Sequence, residues 1–192
     1  MRLWAGLAAA ATVATGVTVW AVHSPSGEPS ESKDASVTRS SRDTEAILRS
    51  ALQHQMRRDS VGAARDYRHA LELDPENVRA WYGLGLVDQQ RGRTADARAD
   101  FERALKIDPH FVSALYSEAN LLRSSDPERA IALLKRAVAD EPKAAAIQLQ
   151  LGFLLAKKDR RNEAGDAFRH AVAADPKLLS QVPEEFRDAA SR

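Results

Sequence analysis

One pattern recurs four times along this chain, its copies spaced by roughly 34 residues. It reads Tyr67-x-x-Ala70-x-x-x-Asp74-Pro75, Phe101-x-x-Ala104-x-x-x-Asp108-Pro109, Leu134-x-x-Ala137-x-x-x-Glu141-Pro142 and Phe168-x-x-Ala171-x-x-x-Asp175-Pro176. A small residue, Ala63, Ala97, Ala130 or Ala164, precedes each large one by four positions. Small and large residues alternating on such a period mark a stacked array of helix pairs, in which no unit buries its apolar face alone. Such arrays serve as surfaces for holding other proteins. The pattern therefore constrains architecture strongly and the identity of a partner hardly at all.

Each copy reads as two helices. In the second copy Asp74-Pro75-Glu76 has the chemistry of a helix start, with Asp as N-cap, Pro in the first turn and Glu near the positive end of the helix dipole. The first helix then runs to about Arg91, Gly92 makes the turn, and the second helix runs from about Thr94 to Ile107. Gly85 and Gly152 share one slot inside apolar helical patterns, which points to close approach of two helices there.

The second copy carries Trp81-x-x-Leu84-Gly85, Ala97-x-x-x-Phe101, Ala104 and Pro109, and the fourth carries Leu151-Gly152, Ala164-x-x-x-Phe168, Ala171 and Pro176. The first copy is weaker (Ile47, Ser50, Ala51), and the third has Glu118-Ala119 in the Leu-Gly slots and one residue fewer near Ser124. Together these residues resemble the tetratricopeptide repeat family, whose signature is Trp-x-x-Leu-Gly-x-x-Tyr, then Ala-x-x-x-Phe, then Pro. The signature Tyr is absent from every copy, its slot holding His54, Asp88, Leu122 and Leu155. The resemblance implies an all-α, right-handed solenoid of four helix–turn–helix repeats over residues 44–178, divided 44–77, 78–111, 112–144 and 145–178. Residues 179–192, amphipathic but interrupted by Pro183, are expected to cap the last repeat.

Ahead of the repeats, Leu3 to Val22 holds twenty residues without a charge. As a helix they rise ~30 Å, the thickness of a bilayer's hydrocarbon core. Trp4 and Trp20 stand near the two ends, where aromatic rings favour membrane interfaces. Residues 1–22 are therefore read as a single transmembrane signal anchor. Val19-Trp20-Ala21 supplies a small-x-small exit, so a cleaved signal peptide is the alternative reading. Arg2 before the span, with no positive residue after it until Lys33, keeps the N-terminus inside and sends the repeats across, by the positive-inside rule. The expected location is the cell membrane with the repeats outside the cytoplasm (periplasmic in a Gram-negative cell), or secreted if the segment is cleaved. Residues 23–43, rich in Ser with Pro25, Gly27 and Pro29, read as a flexible linker.

The resemblance assigns the first helix of each repeat to the concave side. Carried over position by position, the partner-binding groove comprises Leu48 and Leu52, Tyr82 and Leu86, Tyr116 and Asn120, Leu149 and Phe153, extended by Gln55, Gln89 and Arg123. Tyr82 and Tyr116, one repeat apart, are expected to stack as a ladder, and Asn120 suits pairing with a peptide backbone. One subclass of the family grips a C-terminal carboxylate with Lys, Asn and Arg. Its positions hold Leu48, Leu52, Gly83, Ser113 and Ser117 here, so that clamp is not expected, and a peptide with apolar anchors is.

Charge and motifs exclude several classes. Lys+Arg 28 against Asp+Glu 27 leaves +1, too little field to recruit nucleic acid, and the Arg clusters lack interleaved aromatics. The chain has no Cys, and its His residues form no i, i+4 metal pair. No phosphate loop or nucleophile elbow occurs, so no catalytic residue, metal or cofactor is expected. The sequence reads as a membrane-tethered adaptor or assembly factor holding a protein or peptide in its groove. The alternative is a structural subunit of a larger envelope assembly formed by solenoids packing on one another.

Overall fold

The computed structural model describes residues 33–191, with side chains from residue 40 onward. Eight helices form four antiparallel pairs: α1 (Lys33–Met56) with α2 (Ser60–Leu73), α3 (Val78–Gln90) with α4 (Thr94–Ile107), α5 (Val112–Leu122) with α6 (Pro127–Asp140), and α7 (Ala145–Lys157) with α8 (Arg161–Ala174). Each helix packs on the next in sequence, and a 3-10 turn (Pro176–Gln181) and α9 (Glu184–Ala190) close the array against α8. There is no strand among the described residues. The expectation for residues 3–22 lies outside them, and none of the described helices is long and apolar enough to cross a membrane. The first helix begins at Lys33, so residues 33–43, read above as linker, are helical.

The repeated residues make the core. Ala63, Ala97, Ala130 and Ala164 are wholly buried, as are Ala70, Ala104, Ala137 and Ala171, with Tyr67, Phe101, Leu134 and Phe168 beside them. A Cβ built on Gly85 would lie 2.6 Å from the Phe101 ring, and one on Gly152 would lie 2.6 Å from the Phe168 ring. The glycines let the two helices of a pair close over an aromatic ring, which outweighs their cost in helix propensity. Trp81 packs on both apolar clusters into which the core divides, one in the first repeat and a half and one in the remainder. At the far end Phe186 of α9 lies 5.2 Å from Phe168, and Val182 and Ala190 are buried with it.

The structure departs from one further local expectation. Asp74-Pro75 does not start a helix. Asp74 ends α2 with its N–H on Ala70 O, its carboxylate accepts from Glu76 N–H at 3.2 Å and from the Asn77 side chain at 2.9 Å, and Asn77 is the cap, accepting from Ala80 N–H. A residue before Pro disfavours the α region, so the Asp folds into an Asx turn and the helix starts three residues later. Gly92 makes the turn between α3 and α4 as expected, and the same turn recurs in two other pairs. Arg58, Gly92 and Asp159 adopt left-handed conformations with φ of 60°, 74° and 57°. The following N–H groups, of Asp59, Arg93 and Arg160, reach back five residues to His54, Asp88 and Leu155. The third repeat lacks one residue here, and Asp126 N–H instead reaches back four, to Leu122.

Charged groups enter the packing in three places. Asp66 is buried, but Ser50 donates to it at 2.6 Å and Arg65 at 3.0 Å. Burial opposes its ionisation, yet those bonds hold its carboxyl below the usual range. Asp100, one repeat further on and also buried, has no such partner for Oδ2. Desolvation, then the nearby Asp88 and Asp96 carboxylates, push it up to about 7. Asp88 takes the ion pair from Arg93, whose Nε makes no hydrogen bond. Glu118, only 1 % exposed, receives Arg129 at 2.6 Å, and desolvation raises its carboxyl.

Candidate partner-binding groove

The helices α1, α3, α5 and α7 carry the expected groove residues, and two hollows lie along them. The first, about 280 Å³, is lined by Leu48, Leu52 and Gln55 of α1, Tyr82, Gly83 and Leu86 of α3, Tyr67, Arg79 and Phe111. Its walls are almost wholly apolar, and two of its polar side chains, Tyr67 and Arg79, are already engaged. Tyr67 Oη donates to Gln55 Oε1 at 2.6 Å, and Arg79 is paired with Glu45. Burial raises the Tyr67 hydroxyl to about 12, with Tyr82 adding to the effect, so it stays a neutral donor. Leu52 is 53 % exposed at the rim, an apolar side chain facing solvent beside an apolar hollow.

The second hollow, about 310 Å³, lies between α5 and α7 and is lined by Arg123, Gln150, Phe153, Leu154 and Lys157. No carboxylate is among its lining residues, and among the described residues neither Arg123 nor Lys157 has an ion-pair partner. Between the hollows stand Tyr116 and Asn120 of α5, both partly exposed.

The structure thus gathers Leu48, Leu52, Gln55, Tyr82 and Leu86 in one hollow and Arg123 and Phe153 in another, leaving Tyr116, Asn120, Gln89 and Leu149 outside both. Gln89 is exposed, and Leu149 is buried in the core with Leu115, Ile147 and Leu151. The tyrosine ladder does not form. Tyr82 sets its ring 5.2 Å from Phe111, edge-on, and 5.8 Å from Phe101, and makes no ring contact with Tyr116. Phe111, at the start of α5, takes the place against Tyr82 that the ladder required. Sequence reasoning missed Phe111 because it stands in the turn between repeats, and missed Tyr67 because its slot is one of core packing. Two apolar residues following Asp-Pro-His, Phe111-Val112, are the signal that would have suggested Phe111.

Two tetratricopeptide repeat family models match the chain, one over residues 54–110 and one over residues 121–191. No curated protein sequence matches. Among solved structures the chain is similar to MamA, with 23 % identity and a TM-score of 0.64 over 73 % of this chain and 88 % of that one. It is similar to YrrB, described as a TPR protein with an unusual peptide-binding site, with 24 % identity and a TM-score of 0.65 over 77 % of this chain and 76 % of that one. A third likeness is to pilF of Pseudomonas aeruginosa, with 22 % identity and a TM-score of 0.66 over 73 % of this chain and 65 % of that one. At these identities the likeness is one of fold. The two family matches fall on the two ends of the stack of helix pairs, and the chain is built of tetratricopeptide repeats.

Proposed function

We propose that this protein is a non-catalytic interaction module that binds a peptide or a segment of a partner protein along the face of α1, α3, α5 and α7. The carrying observation is the apolar hollow of about 280 Å³ in which Tyr67 and Arg79 are already paired within the fold. An apolar side chain entering it displaces water from Leu48, Leu52, Tyr82, Leu86 and Phe111 without stranding Tyr67 or Arg79, whose polar groups are paired within the fold. YrrB, a TPR protein of similar fold with an unusual peptide-binding site, agrees with this use of the surface. Leu52→Lys with Leu86→Lys tests it, since one residue is exposed and the other partly so. Binding to a randomised peptide array that persists in the variant, with the fold intact by circular dichroism, would exclude the hollow as the anchor site.

The membrane tether through residues 3–22, with the repeats outside the cytoplasm, belongs to the same proposal and rests on the twenty uncharged residues. Alkaline phosphatase fused after residue 32 should be active in a bacterial host. Activity from a cytoplasmic β-galactosidase fusion at that point, instead, would reverse the topology. The self-packing alternative draws on Met56 and Val61, 85 % and 67 % exposed at the first turn. A concentration-dependent oligomer that Met56→Gln/Val61→Gln dissolves would favour it.

A further inference from the structure

The two hollows differ in chemistry. The first is apolar, and its one cation, Arg79, is neutralised by Glu45. The second pairs the Phe153 ring with two cations, Arg123 and Lys157, that no carboxylate among the described residues engages, although Arg129 of α6 and Arg160 before α8, close by in sequence, each find acidic partners. Unpaired cations lining a hollow keep their full attraction for an incoming anion, because no internal partner must first be displaced. Asn120, on the helix between, makes no side-chain hydrogen bond among the described residues and has both a donor and an acceptor to offer an extended backbone. The face is therefore apolar at its N-terminal end, polar in the middle and cationic at its C-terminal end.

From this charge distribution we propose that the occupant is a peptide with an apolar anchor at one end and carboxylates at the other. It lies across the helices with the anchor between α1 and α3 and the carboxylates between α5 and α7. With packed helices about 8–10 Å apart, the two sites stand roughly 20 Å from each other, or about six extended residues. This inference rests on the groove reading above and adds a polarity to it. It also fixes orientation: a peptide entering backwards would bury carboxylates against Leu48 and Leu86 and leave its apolar residues on Arg123 and Lys157. Discrimination between peptides then comes from the charged end and gross affinity from the apolar end.

Fluorescent peptides bearing two Leu, a six-residue Ser/Thr/Asn spacer and three Glu test this on the full chain. Matched peptides carry three Gln, three Lys, or a free or amidated C-terminal carboxylate alone. The Glu peptide should bind about tenfold more tightly than the Gln peptide at low salt, with the difference shrinking as salt rises. Arg123→Glu with Lys157→Glu should abolish that preference and transfer it to the Lys peptide. A response to the free but not the amidated terminus would identify the main-chain carboxylate as the anion. Equal binding of the Glu and Gln peptides overturns the polarity while leaving the apolar anchor in place. Binding of none of them, with the chain folded, overturns the groove reading itself. Should only vesicles containing phosphatidylserine bind, and lose binding in the charge-reversed variant, the cations serve a lipid surface and the proposal fails.

Discussion

Asp66 and Asp100 occupy the same slot in successive repeats, yet should respond to pH with opposite signs. The folded protein holds the Asp100 proton up to about pH 7, whereas the unfolded chain releases it near the ordinary value of 3.8. Between those limits the folded state binds more protons, so the Asp100 contribution to stability falls as pH rises and is fully lost above pH 7. That interval, at about 1.36 kcal/mol per pH unit, sets an upper bound of about 4 kcal/mol. Water reaching Oδ2 and movement of Arg93 toward it reduce this to about 1–3 kcal/mol. Asp100→Asn removes the charge at nearly constant volume and places an amide donor near Asp88. The variant should match the parent below about pH 3.8 and exceed it by about 1–3 kcal/mol near pH 8, or roughly 2–10 °C in Tm.

Asp66 works the other way. Its folded-state carboxyl titrates below the ordinary value, so its stabilisation is present above the unfolded pKa and disappears as pH falls through the folded one. Asp66→Asn leaves Ser50 with a weaker acceptor and should destabilise at neutral pH by about 1–2 kcal/mol, with the loss shrinking as pH falls below the ordinary carboxylate value. Urea unfolding followed by circular dichroism at several pH values measures both variants. Parallel stability curves for Asp100→Asn and the parent between about pH 5 and pH 8 would refute the reasoning. They would mean that solvent or Arg93 already neutralises the carboxylate.

Three further outcomes are expected from the packing. Gly152→Ala drives a methyl into the Phe168 ring and should cost about 1–3 kcal/mol in urea unfolding, whereas the same change at the exposed, left-handed Gly92 should cost only the backbone strain of about 1 kcal/mol. Asp159→Gly removes a non-glycine residue from a φ of 57° and should raise stability by about 0.5–1 kcal/mol, seen as a higher melting midpoint. Arg129→Met strands the buried Glu118 carboxylate and should cost about 3–5 kcal/mol, and adding Glu118→Gln should recover much of that in a double-mutant cycle.

The fold was legible because its determinants repeat. One copy of Ala-x-x-x-Phe could sit in any helix, but four in register require the same packing four times, and the glycines at 85 and 152 then have a reason in the rings of Phe101 and Phe168. Helix starts were less legible, since Asp-Pro is both a good cap and a good Asx turn. After Asp74, Asp108 and Glu141 the next helix starts three residues on whether that position is a capping Asn77 or a non-capping Phe111 or Ala144, whereas Asp126 before Pro127 caps α6 itself.

The groove was legible only as a face, because carrying one slot across repeats assumes that each repeat surrounds it alike. Positions 82, 116 and 149 show that they do not. Tyr82 turns to Phe111 and Phe101, Tyr116 stays partly exposed without a ring partner among the described residues, and Leu149 sinks into the core. The same reasoning explains the charged slots. His54, Asp88, Leu122 and Leu155 fill the place of the signature Tyr, and Asp66, Asp100, Leu133 and Ala167 fill the slot before the large helix residue. At these two slots the first two repeats carry polar groups and the last two apolar ones, while the third repeat buries its carboxylate, Glu118, at a different slot. Periodicity identifies the slots, but the sign of a carboxylate's contribution depends on partners from other slots, such as Ser50 for Asp66, which has no polar counterpart at Leu84 beside Asp100. A repeat array is thus uniform in backbone and individual in electrostatics, and its specificity for a partner arises where the copies differ.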